Sequence, residues 1–475
     1  KPYVFEARPW ELKKTETIDV MDAVGSSIRV DTYGWEVKRI LPRNNDDINE
    51  EWISDKTRYA CDGLKNQRLD APFVKINGKF EKISWNEAYK ILTKKIENTP
   101  QDKIAGIIGD LTDMETMYVV KEFFDKTIKS SNLDCRTENI FVDNSNRSNY
   151  IFNPSINGIE QSDLIVMIGA NPRYEATMLN ARIRKSFLNN YLSIFSYGNV
   201  GELTYPYKLL PNNTSELISL AEEKNEISKK IISAKKPIII FGQSFFKLKS
   251  AEILFEKLKN FLIKNSKINE EWNPIGIISN HSSTVGAYDL DIVSPVNYDS
   301  NTVDDIKNNL KEFIFLFGQD NLVFKKKNEF IVYIGTHGDK GAEISDLILP
   351  GAAYTEKEGH YTNLEGKLQK TYKGSYPPGE AKEDWEIINN LSELLKRKKL
   401  FKNKNELVDS MKNYLKLKKE KKLTPSNKIK KEIINETIRV NEIDYYYSNV
   451  ITRASKTMSE CRNNLIKLKN TGTDG

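Results

Sequence analysis

A chain of 475 residues is longer than one hydrophobic core sustains, so two to four domains are expected. Its 72 basic and 66 acidic residues leave a formal charge of +6, and the lysines crowd between Lys396 and Lys431 with no aromatic stacking platform among them, which argues against nucleic-acid binding. Three cysteines, Cys61, Cys135 and Cys461, fit neither a disulfide framework nor paired metal-ligand spacing and favour a reducing compartment, while no apolar stretch approaches the roughly 20 residues of a membrane span.

The first sixty residues read as a small β-rich unit. Ser27-Ile-Arg-Val-Asp alternates, Tyr33-Gly34-Trp35 turns, and Glu36-Val-Lys-Arg-Ile-Leu returns until Pro42 ends the second strand. Asp19 and Asp22 lack a third oxygen donor beside them. They read as solvated loop acids rather than as a hard-cation site, which wants about six oxygens.

From there short apolar runs each finish at a glycine: Ile104 to Gly109, Leu164 to Gly169, Leu192 to Gly198, Pro237 to Gly242, Phe313 to Gly318 and Phe330 to Gly335. Near-continuous apolar runs mark strands buried on both faces, as in parallel sheets covered by helices. A crossover helix is expected from Ser84, opened by a Ser84/Glu87 capping box. The fold class is therefore α/β, with doubly wound parallel-sheet domains, and ligands of such sheets bind beyond the carboxyl ends of the strands.

Two loops stand at such ends. Gly169-Ala-Asn171-Pro172-Arg173-Tyr-Glu175 precedes a helix near Leu179, and with Arg173, Arg182 and Arg184 close by it reads equally as a pyrophosphate cradle or as a plain strand-to-helix turn. In Gly335-Thr-His337-Gly-Asp339, His337 and Asp339 could do acid-base work, but no nucleophile accompanies them, and a histidine that hydrogen-bonds its own loop is the favoured reading. His281 and His360 are isolated, with no paired-histidine metal spacing. Neither a nucleophile elbow nor a complete phosphate-binding loop occurs. After about residue 392 helix formers dominate, interrupted at Leu423-Thr-Pro425-Ser, and Asp444-Tyr-Tyr-Tyr leads into an amphipathic helix carrying Cys461.

Ala7-Arg-Pro-Trp-Glu-Leu-Lys-Lys-Thr resembles the entry to the molybdopterin oxidoreductase family. There the next residues read Cys-x-x-Cys-x-x-Gly-Cys, and a later Cys-x-Lys-Gly-Arg supplies the fourth iron-sulfur ligand. Here those ligand positions hold Asp19, Asp22, Ser26 and Ser54, while Gly25, Lys56 and Arg58 still match. Iron-sulfur clusters are held by thiolates, and these oxygens are hard ligands. Gly169 to Pro172, and Leu349-Pro-Gly to Asn363-Leu-Glu365-Gly366, resemble the segments that line the pterin in that family. Cys135 is the only thiol near the region of a molybdenum ligand.

One branch is more similar still, the large iron-sulfur subunits of mitochondrial respiratory complex I. Thr17 to Ser26, Asp47 to Arg58, Asn180 to Ser186, Leu349 to Lys357 and Arg453 to Met458 resemble it nearly word for word. The resemblance implies three parts: a degenerate iron-sulfur-type β-rich domain at 1–60, a molybdopterin-oxidoreductase-like α/β region of two interleaved subdomains at 61–391, and a lysine-rich helical tail at 392–475. It implies no catalytic, cofactor-binding or metal-binding residue in this chain, with Thr17 to Ser26 a structural loop. The [2Fe-2S] and [4Fe-4S] clusters are expected on an N-terminal part that this sequence does not include, on a split subunit or removed with the segment before Lys1.

The function so implied is a non-catalytic scaffold in the matrix arm of a mitochondrial NADH:ubiquinone oxidoreductase. Its expected partners are the cluster-bearing part, the flavin-subunit module and other matrix-arm subunits, without nucleic acid. The expected location is the matrix side of the inner membrane, reached only through the complex. The alternatives are an active molybdenum or tungsten pterin oxidoreductase and a free-standing nucleotide-binding module.

Overall fold

The structure, a computed structural model, describes residues 6–294, 301–418, 423, 425 and 433–471. All six apolar runs are strands, and they divide between two sheets. Ile104–Ile108, Phe313–Phe317 and Phe330–Gly335 lie side by side and parallel in a seven-stranded sheet, with Leu133–Asp134 at one side and Leu347–Pro350 at the other. Leu164–Ile168, Ser193–Tyr197 and Pro237–Phe241 belong to an all-parallel five-stranded sheet completed by Lys208–Leu210 and Ile275–Ile277. The second sheet is made from chain lying between strands of the first.

Continuous apolar strands need cover on both faces, and both sheets have it. Met117, Val120 and Phe123 from the helix Met114–Phe123 pack on one face of the larger sheet, and Val303 and Ile306 on the other. The smaller sheet is covered by Leu254, Phe255 and Leu258 on one side and by Leu179 and Ile183 on the other. The helix Trp85–Glu97 carries the expected capping box, Ser84 accepting from Glu87 N while Glu87 accepts from Ser84 N.

Two of the glycines that end the strands have a packing reason. A Cβ on Gly109 would collide with the carbonyl of Gly318, and one on Gly242 with that of Gly169, so neighbouring strand ends meet backbone to backbone.

The sequence pattern leaves two elements unannounced. Lys13–Ile18 is a third strand of the N-terminal antiparallel sheet, pairing with Ser27–Tyr33, which in turn pairs with Glu36–Pro42. It is polar because its outer half is exposed. The hairpin Phe73–Ile76 and Lys79–Lys82 adds two antiparallel strands to the edge of the seven-stranded sheet, so that sheet is mixed.

The tail is no appendage. The helix Asp384–Lys396 runs across the boundary expected at 391/392, and Ile387, Ile388 and Leu391 share one core with Leu407 and Met411 of Lys404–Leu417 and with the seven-stranded sheet. The break at Leu423-Thr-Pro425-Ser and the end of the lysine run lie largely outside the described residues. Beyond them Ile438 enters the core of the five-stranded sheet, and Val450, Ile451 and Met458 share a core with Ile18, Val20 and Met21 of the N-terminal unit. The C-terminal stretch therefore touches both larger sheets and the N-terminal unit. No helix among the described residues is long and apolar enough to cross a membrane.

Candidate functional site

A cavity of about 340 Å³ lies where parallel strands of the two larger sheets end. Asp110 follows Ile104–Ile108, Gln243 follows Pro237–Phe241, Asn280 follows Ile275–Ile277 and Asn321 follows Phe313–Phe317, and all four line it. Lys56 enters from the N-terminal unit, and residues 441–444, 447 and 448 of the C-terminal stretch close another side. This is the crevice where a doubly wound fold binds its ligand.

The residues between this cavity and the N-terminal loop are committed to one another. The Thr57 hydroxyl donates to Asp19 Oδ2 at 2.7 Å, Met21 N donates to Asp19 Oδ1 at 3.1 Å, and Val24 N donates to Asp22 Oδ1 at 3.0 Å. Ser54 caps the helix Asp55–Tyr59, its hydroxyl accepting from Thr57 N at 3.2 Å. Lys56 Nζ stands 3.7 Å from Asp22 Oδ2 and 5.3 Å from the centre of the Tyr445 ring.

The expectation of solvated loop acids is wrong. Asp19 and Asp22 are each 1% exposed, because the loop is folded beneath the hairpin Gly359–Thr362 and Leu368–Thr371. Asn363 Nδ2 donates to Val24 O, Gln369 Nε2 to Gly25 O, and Leu364 N to Ala23 O. Thus the Asn363 to Gly366 segment holds the loop in place. Burial, and then the neighbouring Asp22 carboxylate, push the Asp19 carboxyl up to about 7.

The loop after Leu164–Ile168 answers the open choice between cradle and turn. Glu175 is buried, and its carboxylate accepts from Asn171 N at 2.5 Å and from Gln243 N at 3.2 Å. The N–H groups that a phosphate would use at these two strand ends are already occupied by the chain's own carboxylate. Burial raises that carboxyl to about 7. The three arginines turn elsewhere: Arg173 to Glu202, Arg182 to Glu160 and the Asp46 carbonyl, and Arg184 to the Thr204 carbonyl. The loop is a turn.

His337 is fully buried. Its Nε2 donates to the Gly63 carbonyl at 2.9 Å, which leaves Nδ1 to accept from the Thr336 hydroxyl at 2.7 Å. Burial, and then the nearby Arg68, lower it to about 3. Asp339 instead pairs with Arg453 at 2.6 Å, so the two form no acid-base couple. Ring nitrogen shifts of His337 are expected to stay constant from about pH 8 to about pH 5. A titration near pH 6.5 would contradict this arrangement. His360 Nδ1 donates to Glu115 at 2.5 Å, and His281 lies 3.6 Å from Asp110 at the cavity wall.

Cys135 lines the cavity, and burial, with Asp134 beside it, places its thiol well above the ordinary thiol range. Cys61 is buried against the Lys38 carbonyl and pushed up to about 12. Each is held as a protonated thiol. Among the described residues no three histidine, cysteine or acidic side chains come together as metal ligands.

Sequence reasoning missed two features. Glu175 sits inside a quoted segment, but only the folded chain shows that it reaches Gln243. A buried triad, Lys357 Nζ at 2.5 Å from both Asp113 and Asp384, joins three segments remote in sequence. No spacing could reveal it.

Comparison with known proteins follows the same three parts. Residues 68–394 match the family model described as molybdopterin oxidoreductase, 12–62 that of the NADH-ubiquinone oxidoreductase NDSU1/NuoG-like 4Fe-4S domain, and 412–461 that of the C-terminal region of the same NuoG-like chain of NADH-ubiquinone oxidoreductase. Over 97% of this chain, 39% of residues are identical to the NADH-ubiquinone oxidoreductase 75 kDa subunit of Reclinomonas americana, covering 70% of that protein. The mitochondrial 78 kDa subunit of Candida albicans is 40% identical and covered to 65%, and the mitochondrial NADH dehydrogenase [ubiquinone] iron-sulfur protein 1 of Solanum tuberosum is 35% identical and covered to 63%. The chain thus spans about two thirds of these relatives. Among solved structures, acetylene hydratase from Pelobacter acetylenicus shares the fold, with a TM-score of 0.54 at 12% identity over 84% of this chain and 72% of that one.

The match over 12–62 runs counter to the expectation that no cluster belongs to this chain, since the model it fits is that of a 4Fe-4S domain. The residues themselves do not fit one. The four ligand positions offer buried oxygens, with the Asp19 carboxylate and Ser54 hydroxyl already hydrogen-bonded. A pterin pyrophosphate fits no better, with Glu175 in the anion position.

Proposed function

Because the chain belongs to the family of the NuoG-like 75/78 kDa subunit of NADH-ubiquinone oxidoreductase, we propose that it is a non-catalytic scaffold within that complex. The reading is carried by Asp19, Asp22, Ser54 and Lys56. Around the positions where relatives of the wider family bind a cluster, Asp19 and Ser54 are joined through Thr57, and Asp22 faces Lys56, in a network of hydrogen bonds and charge. Such a network holds backbone in place and has no electron to pass.

In this proposal the 1–60 unit and the 61–391 region form a rigid body, and the C-terminal stretch clamps them across the old ligand crevice. No cluster and no pterin is held here. The [2Fe-2S] and [4Fe-4S] clusters that carry electrons from NADH toward ubiquinone lie elsewhere in the assembly, next to the flavin module. The setting is the matrix face of the mitochondrial inner membrane. Relatives named as mitochondrial subunits, and the absence of a spanning helix among the described residues, support a peripheral place.

Native electrophoresis of mildly solubilised membranes tests this directly. The chain is expected to co-migrate with NADH-oxidising activity in a large assembly. Its recovery only as a free protein would overturn the proposal.

A further inference from the structure

Of the eight strongly exposed aromatic side chains among the described residues, five belong to one place: Trp10, Tyr33, Trp35, Tyr372 and Tyr376. Trp10 precedes the strand Lys13–Ile18 by three residues, at the end where Lys13 pairs with Thr32 and the chain turns through Tyr33 and Trp35. The segment from Tyr372 to Tyr376 is laid over the same sheet. Tyr372 N donates to the Thr17 hydroxyl at 3.1 Å, Gly374 lies against Thr15, and the Ser375 hydroxyl donates to the Trp35 carbonyl. The backbone beneath these rings is pinned, yet Trp10 is 80% and Tyr376 60% exposed.

Exposed tryptophan and tyrosine gathered on a rigid surface are what protein interfaces use as anchors. The rim is mainly basic, although the exposed Glu11 carboxylate keeps its charge beside Trp10. Arg8, Lys13, Lys14 and Lys373 are exposed and carry no ion pair among the described residues, whereas Glu6 and Glu36 are paired with Lys38 and Glu11 accepts from Arg8 N. Among the described residues no amphipathic helix lies here, as a membrane-surface anchor would require.

We propose that this face docks a partner polypeptide whose surface presents acidic side chains around an apolar socket. This names the surface by which the subunit holds its neighbour, and it rests on the function proposed above. Complementary charge would steer the encounter, and the aromatic anchors would set its lifetime.

The test places the photoreactive residue p-benzoylphenylalanine at position 35, Trp35→p-benzoylphenylalanine, in chain incorporated into the intact assembly. Illumination is expected to give an adduct to a peptide of another polypeptide rich in Asp and Glu. A Lys13→Glu, Lys14→Glu, Lys373→Glu variant with unchanged circular dichroism should lower its yield at least about tenfold. Adducts to lipid alone, to this chain alone, or none in an assembly that contains the chain would overturn the inference. A chain absent from the assembly would instead overturn the function proposed above, and this inference with it.

Discussion

Replacing Lys357 with methionine is expected to destabilise the protein by about 3–5 kcal/mol, the usual cost of leaving buried carboxylates without their cation. Lys357 Nζ lies 2.5 Å from both Asp113 and Asp384, and all three side chains are almost wholly buried. Burial pushes Asp113 up, but Lys357 and the Thr116 N–H outweigh it, so its carboxyl ends below the usual range, while burial leaves Asp384 above it. The triad joins Asp113, the cap of the helix Met114–Phe123, to Lys357 before the hairpin that supports the N-terminal loop. Denaturant unfolding of Lys357→Met, read at a fixed slope, measures the loss. A change below about 1 kcal/mol would show that the triad adds nothing net. Asp384→Asn, which leaves Lys357 one carboxylate, should cost less.

The second large effect has the opposite sign. Asp19→Asn is expected to stabilise the protein by about 2–4 kcal/mol at about pH 8, because each tenfold change in proton affinity between folded and unfolded states is worth about 1.4 kcal/mol. The folded carboxyl is raised to about 7 from an ordinary value of 3.8. Below about pH 4 both folded and unfolded states hold the proton, and the variant gains nothing. Between about pH 4 and 7 only the unfolded chain ionises, so the wild-type loses stability as pH rises and the gap opens. Above about pH 7 it is constant. Asparagine keeps an acceptor for Met21 N while removing the charge beside Asp22. Thermal or urea unfolding across that range, with a gap that fails to widen, would place Asp19 as an ionised and well-compensated acid.

Much of the fold was legible because burial on both faces writes itself as unbroken apolar runs such as Phe313-Ile-Phe-Leu-Phe. The strand-ending glycines were legible too; a Cβ on Gly109 would collide with Gly318, and Gly169, Gly198 and Gly318 take left-handed backbone. Lys13-Lys-Thr-Glu-Thr-Ile gave no such sign. An edge strand exposed along half its length needs no apolar pattern. The same holds for Lys79-Phe-Glu-Lys at the outer edge of the larger sheet.

The site was legible as chemistry and illegible as geometry. Hard oxygens at Asp19, Asp22, Ser26 and Ser54 could be read as unsuited to iron-sulfur clusters from residue type alone. That Asp19 and Asp22 are buried could not, because Lys56 and Thr57 lie more than thirty residues on, and the hairpin that covers them lies more than three hundred on. The same separation hid Glu175 from Gln243 and led Arg173, Arg182 and Arg184 to be counted toward one loop when each serves another. The C-terminal stretch showed its helices but not the contact of Val450 and Ile451 with the N-terminal unit.

The most direct test of a scaffold without a redox centre is the metal content of the chain itself, isolated under anaerobic conditions and assayed for iron, molybdenum and tungsten by mass spectrometry. None is expected at stoichiometric level, because the ligand positions are filled by Asp19, Asp22, Ser26 and Ser54 and the anion position by Glu175. About four iron atoms per chain, or about one molybdenum or tungsten, would contradict it.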